Sequence, residues 1–311
     1  TIFKDLKEYQ KAKKCYEKAI ELDPGFAVAQ NNLGNVVQKL GKYQQAIKFY
    51  EKAIELNPFQ ANTHNNLGVV FQELGEIQKA KDCYEKAIKI NPNHTNAYWN
   101  SHTLASDIDG AISILKKLYT IDNRYTKAKI MISALEGCKG NFSMFDEILA
   151  SSNSNHPYTR SIKWVFSLHK LPKIFFTRWD FFDAVIALTE SSRPFYEFGV
   201  LNAVSFQYLI NTFKKGFGFD TFSGLPEAWH NEKEGSYSAF GVVPKIKGGE
   251  FIVGKFEDTL PEFFSNEKPL ASLINFDADL YSSTLCALNN SHKVIDEKTI
   301  LIFDEFIMNE N

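Results

Sequence analysis

Six carboxylates in the second half of the chain have types and spacings suited to work at the edge of a sheet. Asn275-Phe276-Asp277-Ala278-Asp279 puts two of them at i and i+2 just past an apolar run, and Phe303-Asp304-Glu305 puts two more past the next run. Four acids gathered at one place repel one another. A divalent cation relieves that repulsion, and an all-oxygen donor set suits Mg2+ or Mn2+. A single aspartate there would more simply cap the following helix, so the metal reading rests on the set. Two further acids stand earlier. Glu197 lies in Phe195-Tyr196-Glu197-Phe198-Gly199-Val200, and Asp220 ends Gly216-Phe217-Gly218-Phe219-Asp220, 220 − 197 = 23 residues on. An acid at about that spacing, at the next strand end, is placed for ribose hydroxyls. Gly199 lets backbone approach a ligand. A helix starting near Ser205 offers free N–H groups to a carboxylate or phosphate.

These residues need elements that bring them together. The acids sit at the ends of short apolar runs at 195–200, 216–220, 273–276 and 300–303, with a further run at 251–253. Helical text lies between several of them, at 204–213, 259–264 and 284–293. Strands alternating with helices predict a parallel, doubly wound α/β sheet covered on both faces. Ligands on such sheets bind beyond the C-terminal strand ends, where the acids lie. No GxGxxG follows the first run, which argues against a dinucleotide. Phenylalanine is dense just before the sheet (Phe175, Phe176, Phe181, Phe182), and helices expected around 158–168 and 178–189 are placed to cover it. The polar stretch Ser151 to Pro157 reads as a linker. Two more helices are expected between Tyr125 and Leu149, broken at Gly137 and Gly140.

The first third carries a different pattern. Pro24, Pro58 and Pro92 are spaced 58 − 24 = 34 and 92 − 58 = 34 residues apart, and the text between them repeats. Each unit predicts two helices, the first at about 27–40 and again at 61–74. Gly41 and Gly75 end them, because glycine takes the left-handed C-cap conformation cheaply. The second helix puts Ala46, Tyr50 and Ala53, then Ala80, Tyr84 and Ala87, on one face. Gly34 and Gly68 are expected to face Ala46 and Ala80, where two backbones come close. Asn31 and Asn65 recur one period apart. They fit either an amide ladder holding a ligand backbone or a solvated polar face copied with the repeat.

Leu33, Gly34, Ala46, Tyr50, Ala53 and Pro58, and the same set 34 residues on, resemble the tetratricopeptide repeat. The resemblance covers two full repeats, a half repeat before them and a degenerate third after Pro92. It implies a helical solenoid whose groove holds a peptide or protein. A second resemblance covers about residues 190–311. Glu197-Phe198-Gly199-Val200, Gly218-Phe219-Asp220-Thr221-Phe222-Ser223-Gly224-Leu225-Pro226, Gly254-Lys255-Phe256-Glu257-Asp258-Thr259-Leu260-Pro261, Asp277-Ala278-Asp279-Leu280-Tyr281 and Phe303-Asp304-Glu305-Phe306 resemble the macrocin O-methyltransferase family. That resemblance implies a class I S-adenosylmethionine-dependent enzyme that methylates sugar hydroxyls with Mg2+. By the same resemblance, Glu197 and Gly199 would line the methionine end of the cofactor, Ser205 would bind its carboxylate and Asp220 its ribose. Phe256, Glu257 and Asp258 would lie near the adenine. Asp277 or Asp279, with Asp304 and Glu305, would hold Mg2+, and Asp279 would take the proton of the acceptor hydroxyl. Gly224 to Ser238 would be a lid or substrate loop, with Trp229 and His230 in it; His230 is expected to be a solvated loop residue. Ala203 stands where the family has a second glycine, and Glu305 where it has a second aspartate.

The totals bound these readings. The chain has 311 residues, 44% hydrophobic and 23% charged, which suits a multidomain globular protein. Net charge −2 gives no general pull toward nucleic acid or anionic membrane. Cys15, Cys83, Cys138 and Cys286 lie far apart with no zinc spacing, as expected of reduced thiols in a cytoplasmic protein. No apolar run is long enough for a membrane span. The expected architecture is an all-α tetratricopeptide solenoid over 1–105, a helical extension and linker over 106–160, and a Rossmann-like α/β sheet over 161–311. That sheet would lack its last strands, as in a fragment of a longer protein. The expected function is O-methylation of a small-molecule or glycan hydroxyl, with S-adenosylmethionine and Mg2+. The rivals are a non-catalytic interaction scaffold with a decayed methyltransferase domain, and another enzyme on the same kind of sheet.

Overall fold

A computed structural model describes residues 2–228 and 232–304, with side chains from residue 8 onward. The chain divides into two compact units, one running from Cys15 to Phe181 and the other from Phe182 onward together with the residues up to Lys14.

The first unit is helical. After α1 (Ile2–Leu22) come two helix pairs, α2 (Ala27–Lys39) with α3 (Tyr43–Leu56), and α4 (Ala61–Glu73) with α5 (Ile77–Ile90). Gly41 and Gly75 have φ 68° and 76°, the left-handed geometry expected where the first helix of each pair (helix A) must stop and turn into the second (helix B). The small residue at the crossing has a more specific job than the expected contact with Ala46 and Ala80. A Cβ on Gly34 would lie 2.6 Å from the ring of Tyr50, and one on Gly68 would lie 2.6 Å from the ring of Tyr84. Each glycine therefore seats the tyrosine of its own helix B. Both tyrosines are fully buried. Their hydroxyls reach back to helix A, Tyr50 to Asn35 and Gln38, and Tyr84 to Gln72. A buried hydroxyl must find such a partner.

A third pair, α6 (Thr95–His102) and α7 (Ile108–Ile121), continues the array with a shorter first helix; Asp107 caps α7 by accepting from Gly110 N. Then follow α8 (Thr126–Cys138) and α9 (Ser143–Leu149). Of the two expected breaks, only Gly140 takes a positive φ. Gly137 lies inside α8, where its bare Cα leaves room for Phe166. Ser152–Asn155 is a single 3-10 turn, and α10 (Pro157–Phe166) opens on proline, which needs no N–H partner at that position. The sequence places α10 against the sheet. It packs instead on α8, with Phe166 edge-on to Phe142 and Phe145. At the start of α11 (Arg178–Ile186), Trp179 donates to the carbonyl of Gln72 and lies against Gly75.

The second unit is built on five parallel strands. They are β1 (Phe195–Phe198), β2 (Gly216–Asp220), β3 (Gly249–Val253), β4 (Leu273–Phe276) and β5 (Ile300–Phe303), in spatial order β3-β2-β1-β4-β5. The helices α12 (Val204–Phe213), α13 (Phe256–Phe263) and α14 (Tyr281–Ser291) alternate with them. Register pairs Phe198 with Phe219 and Phe276, and Phe276 with Phe303. Their rings stack across four strands, with centroids 4.7, 5.3 and 4.8 Å apart, so one phenylalanine from each of these strands lines one face of the sheet. Among the described residues, no helix is long and apolar enough to cross a membrane.

Candidate functional site

Strand order reverses beside β1: the chain first grows outward through β2 and β3, then returns to place β4 on the other flank. Ligands of open α/β sheets bind in the crevice at such a switch point. Of the acids predicted from sequence, Glu197, Asp277 and Asp304 fall there. Glu197 is fully buried within β1, and its Oε1 accepts from Asn275 Nδ2 at 2.8 Å in the neighbouring strand. Asp277 follows β4 and Asp304 follows β5. Their backbone N–H groups extend the ladder, Asp277 to the carbonyl of Phe198 and Asp304 to the carbonyl of Phe276. Gly199 explains why β1 can come so close: a Cβ there would collide with the carbonyl oxygen of Asp277.

The electrostatics follow from this crowding. Burial, contact with the Asp304 carboxyl, and the nearby charges of Glu197 and Asp279 hold the carboxyl of Asp277 well above the usual carboxylate range. The Asp277 carboxyl thus faces a second acid, Asp304, at the strand ends. Asp279 sits at φ 58° in the turn before α14, a strained conformation for a non-glycine residue. Among the described residues, no group of three or more His, Cys, Asp or Glu side chains is close enough to hold a metal ion. The structure thus brings Asp277 and Asp304 together beside Glu197, and leaves Asp279 as a neighbouring charge. Glu305, Trp229 and His230 lie outside the described residues.

The other predicted residues are more dispersed. Ser205 is buried in the first turn of α12, behind Ala203, which has φ 58°. Asp220 ends β2, and its oxygens accept from backbone: Oδ2 from Val200 N at 2.7 Å and Leu201 N at 2.8 Å, Oδ1 from Phe222 N at 2.6 Å. Phe256 opens α13, but its ring is buried edge-on to Phe198 at 5.7 Å, in the core below the site. Glu257 and Asp258 are exposed on the first turn of the same helix.

Sequence reading missed three partners. Asn275, an amide inside the apolar run Leu273-Ile274-Asn275-Phe276, is the group that donates to Glu197 Oε1; a lone amide in a buried strand was the available signal. Glu227, in the loop after β2, accepts from Ser282 Oγ at 2.7 Å and ties that loop to the start of α14. In the array, Asn66 rather than Asn65 reaches back to Asn31 and Asn35, at 3.2 and 3.0 Å, and Asn65 accepts from Asn100 at 3.0 Å. The amides therefore staple successive repeats together.

A family model described as tetratricopeptide repeat matches residues 25–93, and another described as TPR repeat matches residues 1–41. No curated protein matches the chain. Solved structures similar to it include MamA, at 23% identity over 45% of this chain and 84% of that one, with a TM-score of 0.41. YrrB, described as a TPR protein with an unusual peptide-binding site, has 23% identity over 52% of this chain and 86% of its own, with a TM-score of 0.43. Pseudomonas aeruginosa pilF has 18% identity over 51% and 76%, with a TM-score of 0.46. The N-terminal helices are a tetratricopeptide-repeat array, and neither family model extends past residue 93.

Proposed function

We propose that the sheet unit transfers a methyl group from S-adenosylmethionine to a hydroxyl of a glycan or other small molecule, and that the repeat array docks a peptide or protein partner. The observation that carries this reading is the acid set at the switch point, with Asp277 and Asp304 in contact and Glu197 beside them. An acidic site complements a sulfonium cation, and the free N–H groups at the start of α12, near Ser205, complement a carboxylate. Gly199 leaves backbone space at the methionine end. Asp220 stands at the strand end where ribose would lie, with Glu257 and Asp258 on the next helix toward the adenine. Phe256 supports that wall from the core.

Oxygen donors are the chemistry a divalent cation takes, and binding one would displace the proton that Asp277 holds. Asp277 and Asp304 would hold Mg2+, with Asp279 and Glu305 as the further donors, and the ion would lower the pKa of a bound hydroxyl. Bound there, S-adenosylmethionine would supply a methyl group on a sulfonium sulfur, and Asp279 would take the proton of the acceptor hydroxyl. The chain's main contribution is to line up sulfur, methyl and oxygen.

The array's part follows from its shape: stacked helix pairs form a concave surface suited to an extended peptide. A second reading, a scaffold whose sheet no longer catalyses, is favoured by Asp220, whose carboxylate is occupied by three backbone N–H groups. Titration calorimetry with S-adenosylmethionine, with and without Mg2+, separates the two. Binding is expected for the methyltransferase, and no heat under either condition selects the scaffold. Asp279→Asn should abolish methyl transfer to the accepted hydroxyl while leaving cofactor affinity within a few fold; surviving turnover would overturn the role given to Asp279.

A further inference from the structure

The loop after β1 is held in an uncommon shape. Gly199, Leu201 and Ala203 have φ of 91°, 49° and 58°, so three of five consecutive residues are left-handed and two of those carry a Cβ. Such a conformation is strained for a non-glycine residue and persists only when something fixes it. The fixing group is Asp220. Its Oδ2 accepts from the N–H groups of both Val200 and Leu201, and its Oδ1 is held by Phe222 N. A carboxylate offers about four acceptor positions, so three are in use. A vicinal diol needs one position on each oxygen, and Oδ2 has none to spare.

We infer that Asp220 is a clamp on the 199–203 loop, and that it must release Val200 or Leu201 N–H to accept the two hydroxyls of a ribose. The release step rests on the methyl-transfer reading; the clamp in the ligand-free protein does not. Asp220 is then a positioning residue first and a ligand-binding residue second. The left-handed Leu201 and Ala203 are what the loop gives up when the clamp opens. Ala203 matters because glycine adopts φ 58° without strain.

Hydrogen exchange by mass spectrometry, read on the peptide carrying residues 199–203, tests this in the full chain. Without ligand, Asp220→Ala should speed exchange of those amides at least tenfold, while Asp220→Asn, which keeps one acceptor oxygen, should retain most of the protection. Equal exchange in wild type and Asp220→Ala overturns the clamp. If Asp220→Ala fails to fold, Asp220→Asn compared with Ala203→Gly decides. The glycine should raise the melting temperature by about 2 °C, and an unchanged or lower value overturns the strained loop. Saturating S-adenosylmethionine should then deprotect Val200 or Leu201 in wild type. Binding with both amides still protected overturns the release step alone. Absence of binding to wild type and to Ala203→Gly overturns the release step and the methyl-transfer reading together, while the ligand-free comparison still judges the clamp.

Discussion

The repeat array and the sheet edge handle buried polar groups in opposite ways. In the array polar groups are answered by neighbours: Tyr50 by Asn35 and Gln38, Tyr84 by Gln72, Asn66 by Asn31 and Asn35. Tyrosine is paired with glycine so closely that neither can change alone. At the sheet edge like is set against like, Asp277 against Asp304 with Glu197 and Asp279 near, and folding holds the Asp277 carboxyl well above the usual carboxylate range. Mutually supporting contacts of the first kind make a scaffold. Crowded acids of the second kind are tolerated where a ligand or reaction uses them.

The contrast is broken most severely at Tyr84. Its ring is fully buried against Gly68 and its hydroxyl is bonded within the same repeat. Tyr84→Ala should cost about 3–5 kcal/mol in urea unfolding followed by helical signal. Tyr84→Phe, which keeps the ring and loses one hydrogen bond, should cost only about 1 kcal/mol. A loss under 1 kcal/mol for the alanine would mean that the repeats do not depend on this packing. Asp277→Asn should move the other way. The folded state raises the pKa of Asp277, so it binds that proton more tightly than the unfolded chain. The contribution of Asp277 is therefore full below its unfolded pKa and is lost as pH rises through the folded one. An amide needs no proton and can still donate to Asp304. At neutral pH the ligand-free protein should gain on the order of 1 kcal/mol, and a destabilised variant would show that the acids are not in conflict.

Much of this was legible in the sequence, for reasons that differ between the regions. The 34-residue period and Gly41 and Gly75 are local signals, and the array follows them closely. The five strands were marked by their apolar runs, and the acids fell at the expected edge because position past a strand is also local. Contacts between distant segments were not legible. Nothing in the text of α10 says that Phe166 enters the gap at Gly137, and nothing in that of α11 says that Trp179 reaches the carbonyl of Gln72. The Asn31 and Asn65 repeat was visible, but a one-residue offset puts Asn66 and Asn100 into the bonds, and only the packing of adjacent helices decides that. Asp220 was read as a ligand for ribose; that its oxygens turn to the β1 loop depends on the backbone of residues 199–203.

The smallest effect is a titration inside the array, and it tests whether a fully answered network has a weak condition. His94 is buried at the start of α6. Its Nδ1 accepts from Ala97 N at 3.1 Å, so Nε2 carries the proton and donates to Asn62 Oδ1 at 2.8 Å, in the preceding repeat. A protonated ring cannot accept at Nδ1, so the cap exists only in the neutral form. Burial lowers the pKa of His94 below its usual value, and burial also lowers those of His64, where Lys86 adds to it, and of His102. The folded array thus binds these protons less tightly than the unfolded chain. Its stability should be full above about pH 6.5, the ordinary histidine value, and fall as pH drops below that through the folded pKa values. His94→Asn supplies an amide oxygen as the cap at every pH. It should flatten the decline by about 1 kcal/mol between pH 7 and pH 5, with His64 and His102 left to account for the remainder. Parallel wild-type and variant curves across that range would remove His94 from the set and leave the network without this weakness.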